Sequence, residues 1–140
     1  MLKITDVTGE EYRGDTLGGK RHGVGKCQYI DGSRYEGHWY FGHRRGFGCF
    51  VDISGNIYEG EWTSNIMTNH GSWHWKNGTS YIGPHDFGVR SGHGMYSTGY
   101  GDIYVGNFQN NKIDGKGLML YNDRTYYKGN FSDGQRSGQG

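Results

Sequence analysis

Proline, cysteine and aliphatic residues are all scarce in this chain of 140 residues. The single Pro84 excludes a proline-rich linker, and a hydrophobic fraction of 32% leaves too little aliphatic material for an ordinary two-layer core. Only two cysteines occur, Cys27 and Cys49. They occupy different phases of the repeat described below, which argues against a disulfide or a metal pair and for a reducing compartment. An excess of one charge sign is missing as well. A net charge of +1 supplies no bulk drive toward nucleic acid or membrane, so any electrostatic role must come from how charge is distributed. No spanning segment or lipidation motif is visible, and Met1-Leu2-Lys3-Ile4 does not open an apolar signal region; a cytoplasmic location is expected.

Aromatic residues and glycine take the place of what is absent. The chain has 12 Tyr, 6 Phe and 4 Trp, whereas disordered chains are poor in aromatics, so a folded chain is expected in which rings replace aliphatic side chains. Its 28 glycines follow no Gly-X-Y period, which excludes collagen. They follow a longer one. Tyr12-Arg13-Gly14, Tyr35-Glu36-Gly37, Tyr58-Glu59-Gly60, Tyr81-Ile82-Gly83, Tyr104-Val105-Gly106 and Tyr127-Lys128-Gly129 begin 23 residues apart each time. Self-similarity at such a period is the signature of a repeat architecture.

Read modulo 23, glycine falls into columns. One reads Gly23, Gly46, Asn69, Gly92, Gly115, Gly138, and two residues later comes Gly25, Gly48, Gly71, Gly94, Gly117, Gly140. A third column, Gly19, Gly42, Asn65, Gly88, Asn111, Gly134, marks a turn, because Asn is the usual substitute for Gly at positive φ. The Asp31-Gly32 and Asn77-Gly78 pairs signal a second reversal. Each period therefore holds two short strands and two reversals, with no helix. Alternation puts Tyr35, Gly37 and Trp39 on one face, joined by Cys27, Phe50, Trp73, Tyr96 and Met119 from the second strands. Rings lying across the glycine backbone of a neighbouring strand would bury aromatic area in a single-layered sheet. Glu36, Glu59, Ile82, Val105 and Lys128 occupy the opposite, mixed face, which reads as solvated surface.

The unit Tyr-Glu-Gly-x-Trp, then Gly, then Gly-x-Gly, then Asp-Gly resembles the MORN family (membrane occupation and recognition nexus repeats). That resemblance covers essentially the whole chain. It implies an all-β, elongated solenoid of stacked antiparallel hairpins in a single twisted sheet. The array is read as one domain, 1–140, with a half repeat over 1–11 and repeats starting at 12, 35, 58, 81, 104 and 127, the last incomplete. Roles in scaffolding, dimerisation and cytoskeletal or ciliary assemblies are implied, with phospholipid binding less securely so. Family members that precede lipid kinase or methyltransferase domains imply a further alternative, the targeting region of a larger enzyme. Repeat four departs from the pattern, with Pro84-His85 where repeat three has Glu61-Trp62; a bulge or weak point is expected there because Pro cannot donate within a sheet. Repeat one has Thr16 in place of Trp.

No catalytic, cofactor or metal constellation emerges. His70 and His74 on one strand would stand about 13 Å apart, and His70 and His93, one repeat apart, about 9 to 10 Å. The Gly-x-Gly pairs lack the helix and Lys-Ser/Thr of a phosphate cradle. Asn77-Gly78-Thr79 and Asn130-Phe131-Ser132 match a glycosylation sequon that is short enough to arise by chance. A non-enzymatic module is expected. Its candidate protein-binding residues are the rings of a shallow concave face, Tyr35, Trp39, Tyr58, Trp62, Tyr81, Tyr104 and Phe108, which would receive a helix or extended segment. A basic margin of Lys20, Arg21, Arg44, Arg45, Arg90, Lys112 and Arg136 is the candidate site for anionic phospholipid, opposite an acidic margin that includes Asp6, Asp31, Asp52, Asp102 and Asp123. Terminal strands without a neighbour make self-association a further expectation.

Overall fold

A computed structural model describes residues 2–5, as backbone, and 9–137. Asp6, Gly138 and Gly140, assigned above to a margin and to glycine columns, lie outside the described residues. Every described element is a strand: β1 (Leu2–Thr5), β2 (Glu11–Leu17), β3 (Lys20–Gln28), β4 (Arg34–Tyr40), β5 (His43–Val51), β6 (Ile57–Thr63), β7 (Ile66–His74), β8 (Ser80–Asp86), β9 (Val89–Arg90), β10 (Gly92–Ser97), β11 (Ile103–Gln109), β12 (Lys112–Leu120), β13 (Tyr126–Ser132) and β14 (Gln135–Ser137). They form one open antiparallel sheet in sequence order, with the short β9 paired to β8 beside the main path. The tyrosine column pairs with the large column throughout: Cys27 faces Tyr35, Phe50 faces Tyr58, Trp73 faces Tyr81, and the half repeat follows suit with Ile4 opposite Tyr12.

The two reversals in each repeat differ in kind. Between first and second strand lies a two-residue turn with both residues left-handed: Gly18-Gly19, Phe41-Gly42, Ser64-Asn65, Phe87-Gly88, Asn110-Asn111 and Asp133-Gly134. Such primed turns match the twist of the flanking strands. The last five are tied to the hairpin before them, as when Gly42 N–H donates to the Arg21 carbonyl at 2.7 Å and Gly88 N–H to the Met67 carbonyl at 2.8 Å. The other reversal is a longer loop with a single left-handed residue, Gly32 for example, closed by Tyr29 N–H donating to the Ser33 carbonyl at 2.9 Å.

The two glycines of Gly-x-Gly have separate tasks. The second lies under a ring: a Cβ on Gly25, Gly48, Gly71 or Gly117 would fall on the phenol of Tyr12, Tyr35, Tyr58 or Tyr104. The first is left-handed, with φ of 97° at Gly23, 83° at Gly46, 54° at Asn69 and 98° at Gly115. It belongs to a β-bulge, seen as a register shift between Gly14 and Thr16, Gly37 and Trp39, Gly60 and Trp62, and Gly106 and Phe108. Bulges bend a strand and sharpen its twist, so one recurs wherever the sheet must keep turning. Pro84 does not interrupt its own strand, where it faces His70. Its effect appears one strand later. The second strand of that repeat is divided into β9 and β10 around Ser91, whose N–H donates to the Pro84 carbonyl at 3.2 Å.

A Cβ on Gly60 would lie 2.5 Å from the Gly71 Cα and 2.7 Å from Tyr58 Oη. Gly60→Val is therefore expected to lower stability by about 3 kcal/mol or more through overpacking. Glu59→Val, one residue away on the exposed face, is expected to change it by less than about 0.5 kcal/mol. Chemical denaturation of the two variants checks the assignment of faces.

Candidate interaction surfaces

The ring face is built from one repeated contact. Each repeat tyrosine lies over the hairpin's paired glycines and donates its hydroxyl to the carbonyl three residues ahead: Tyr12 to Asp15, Tyr35 to His38 at 2.9 Å, Tyr58 to Glu61 at 3.1 Å, Tyr81 to Pro84 at 2.7 Å and Tyr104 to Asn107 at 2.8 Å. Burial pushes the phenols of Tyr35, Tyr81 and Tyr104 up to about 12. Between successive tyrosines sits the ring of the Trp/Phe column. Trp39 bridges Tyr12 and Tyr35, Trp62 bridges Tyr35 and Tyr58, Phe108 bridges Tyr81 and Tyr104, and Phe131 bridges Tyr104 and Tyr127. All are edge-to-face, the favoured geometry, with centroids 4.9 to 5.4 Å apart. Trp39 and Trp62 also reach back over the preceding hairpin, their indole N–H donating to the carbonyls of Gly25 at 3.1 Å and Gly48 at 3.3 Å.

This ladder places all seven candidate binding rings together, and it buries them. Tyr35, Tyr58, Tyr81 and Tyr104 are at most 1% exposed, and Trp39, Trp62 and Phe108 at most 5%. The accessible rings on this face belong to the second strands and the loops after them: half-buried Tyr29, Phe50, Trp73, Trp75 and Tyr96. Trp73 and Trp75 stack on one another at 5.7 Å with planes 9° apart. The glycines nearest Trp73, Gly71 and Gly83, are already covered by Tyr58 and Tyr81, so its own ring has no bare backbone left to cover.

The basic margin is largely turned onto the ladder. Arg44 stands 4.7 Å from the Trp62 ring and Arg90 5.2 Å from that of Trp75. Each is held by an asparagine of the next repeat's turn: Asn65 Oδ1 accepts from the N–H and Nε of Arg44 at 2.9 and 3.3 Å, and Asn111 repeats the arrangement with Arg90 at 2.8 and 3.3 Å. Arg21 lies over Tyr12 and Trp39 and pairs with Glu10 at 3.1 Å. Arg136 covers Tyr127, and Lys112 pairs with Asp133 at 3.7 Å. Lys20 and Arg45 are exposed, Arg45 beside the Tyr40 ring. On the other margin carboxylates close their own loops. Asp31 accepts from the backbone N–H and hydroxyl of Ser33, which holds its carboxyl below the ordinary value, and Asp123 is held likewise by Thr125.

The opposite face changes character along the chain. One cross-strand row runs Arg13, Lys26, Glu36, Cys49, Glu59, Ser72 and then Ile82, Met95, Val105, Leu118, Lys128. Its first part is charged and polar; its second part is apolar, with Ile82 and Met95 exposed to solvent. Among the described residues, no group of three or more His, Cys, Asp or Glu is placed to hold a metal ion.

The MORN repeat model matches residues 12–34, 35–57, 58–80, 104–126 and 127–140, more than half the chain. The chain belongs to the MORN-repeat family. Of the repeats starting at 12 or later, the unmatched one carries Pro84 and His85. No curated protein matches the chain. Among solved structures, one resembling it is the Drosophila melanogaster SAS-4 (dCPAP) TCP domain in complex with a proline-rich motif of Ana2 (dSTIL). The identity is 10% and the TM-score 0.39, over 90% of this chain and 86% of that one. At that score the likeness says nothing of function.

His85 is the odd member of the ladder. It fills the Trp position between Tyr58 and Tyr81 at 5.2 and 5.3 Å and is 4% exposed, and among the described residues neither ring nitrogen makes a well-formed hydrogen bond. Burial, and then the charge of Arg90, lower its pKa to about 4. The unfolded chain takes up this proton near pH 6.5, the folded chain not until about 4. Stability is thus unaffected above 6.5 and falls as pH drops from 6.5 toward 4. His85→Trp is expected to raise the thermal midpoint at pH 7 and to flatten its decline between pH 7 and 5, read from melts of both proteins across that range.

Proposed function

We propose that the array is a non-enzymatic structural module that binds a protein partner in the cytoplasm, in an assembly of cytoskeletal or ciliary type. One observation carries this reading: Phe50, Trp73, Trp75 and Tyr96 present half-exposed rings on a floor that the buried ladder makes rigid. Rigid, amphipathic rings lose little entropy on binding and dominate interface hot spots. The seven ladder rings then shape the surface, and the second-strand rings meet the partner. Self-association, a role that the repeat family implies, belongs to the same proposal. Replacing Trp73 and Trp75 together by Ala is expected to remove most of the protein captured specifically by the immobilised chain, and to lower the thermal midpoint while the sheet stays folded at the assay temperature. An identical set of captured proteins from the variant would sink the reading.

A second reading, attachment to anionic lipid, is favoured by a different observation. Along the turn margin, Leu17 is 50%, Phe41 41%, Ile66 41% and Phe87 78% exposed, beside the outward Lys20 and Arg45. Phe41 and Phe87 hold left-handed conformations, φ 44° and 49°, where bulky side chains are strained by about 1–3 kcal/mol. Apolar tips interleaved with cations suit a membrane interface. Phe41→Asn with Phe87→Asn is expected to raise stability by about 1 kcal/mol, since Asn tolerates this conformation. The pair is also expected to abolish co-sedimentation with vesicles containing phosphatidylserine, and unchanged sedimentation would remove this reading.

A further inference from the structure

The face away from the ladder carries an asymmetry that neither reading uses. In its first half charges neutralise one another, with Lys26 and Glu36 3.7 Å apart. From β8 to β12 the central row turns apolar, and Ile82 is 50% and Met95 40% exposed. Beside this row a hollow of about 580 Å³ has Val105 and Leu118 in its wall together with His93, Lys116 and Lys128, and no carboxylate. Among the described residues, neither Lys116 nor Lys128 makes an ion pair.

We propose that this row and hollow receive an amphipathic α-helix of a partner protein, laid across the strands, with apolar residues on its seated face and carboxylates along its flanks. Spacing favours a helix. The row offers one apolar side chain per strand, about 4.8 Å apart, and a helix offers one per turn, about 5.4 Å, so four contacts span about 14 Å against about 16 Å. Same-side residues of an extended segment lie about 6.6 Å apart, and four of them span about 20 Å, out of step with the row. Charge sets the flanks: two unpaired lysines beside an apolar floor are complementary to Asp or Glu. A second copy of this chain fits poorly, because two such hollows face to face enclose a void and oppose lysine to lysine. The surface shares no residue with the second-strand rings or the turn tips, so it stands or falls apart from both readings above.

The test uses the full chain and two labelled peptides of about 18 residues, roughly 27 Å of helix. Both carry Leu at three- and four-residue spacing; one has Glu on the flanks and the other Lys. Fluorescence anisotropy is expected to show saturable binding of the Glu peptide, about tenfold or more tighter than the Lys peptide. Met95→Glu, at an exposed position, is expected to weaken it about tenfold. Lys116→Glu with Lys128→Glu is expected to reverse the preference between peptides, and Trp73→Ala to leave binding unchanged, with melts confirming that each variant is folded. No saturable binding, equal binding of the two peptides, or loss on Trp73→Ala but not on Met95→Glu would each overturn the proposal. A dimer seen by light scattering and dissolved by Met95→Glu would overturn it too, assigning the surface to a second copy.

Discussion

A phenol ring laid across two bare glycines, with its hydroxyl returned to the backbone three residues on, is the contact on which the rest of this structure depends. A one-layered sheet has no second sheet or helix against which to hide its apolar side. Here the side chain closes over its own hairpin instead, and glycine is required because any Cβ would occupy the ring's place. The hydroxyl bond satisfies the one polar atom that burial would otherwise strand. Repeating this contact makes a core one side chain thick. The edge-to-face rings between tyrosines then turn separate hairpins into a continuous array, each contact adding about 0.5–1.5 kcal/mol beyond the area it buries.

Much of this was legible in the sequence because the chain supplies its own alignment. Six in-phase tyrosines assign the strand faces, and columns of glycine against rings state the packing rule. The finer roles were less legible. Gly46 and Gly48 look alike in sequence, yet one is left-handed in a bulge and the other lies under a ring, a distinction set by register between strands. Pro84 was expected to disturb its own strand and instead divides the next one, because what it alters is the partner's pairing.

The surfaces were harder to read than the core. Exposure of a ring depends on which ring reaches the glycines first: Tyr58 and Tyr81 already cover Gly71 and Gly83, so Trp73 beside them remains accessible. An arginine in a turn reads as a free charge. Only the asparagine 21 residues later shows that Arg44 and Arg90 are folded onto rings, and Asn65 and Asn111, breaking a glycine column in alternate repeats, are the trace of that arrangement in sequence. The apolar second half of the opposite face could be listed from its letters, but its continuity is a property of cross-strand register.

The ladder has one joint made of a different material. Tyr12 through Trp62 form one buried cluster and Tyr81 through Phe131 another, and between them stands His85, neither of whose ring nitrogens makes a well-formed hydrogen bond among the described residues. Strands run crosswise to the stack, so their ladder bonds point along it. Tension applied between the ends would load those bonds one row at a time, as a zipper, and not together in shear. Load therefore passes through every hairpin in turn, and Trp73, packed against both clusters, carries the ring contact past the histidine joint.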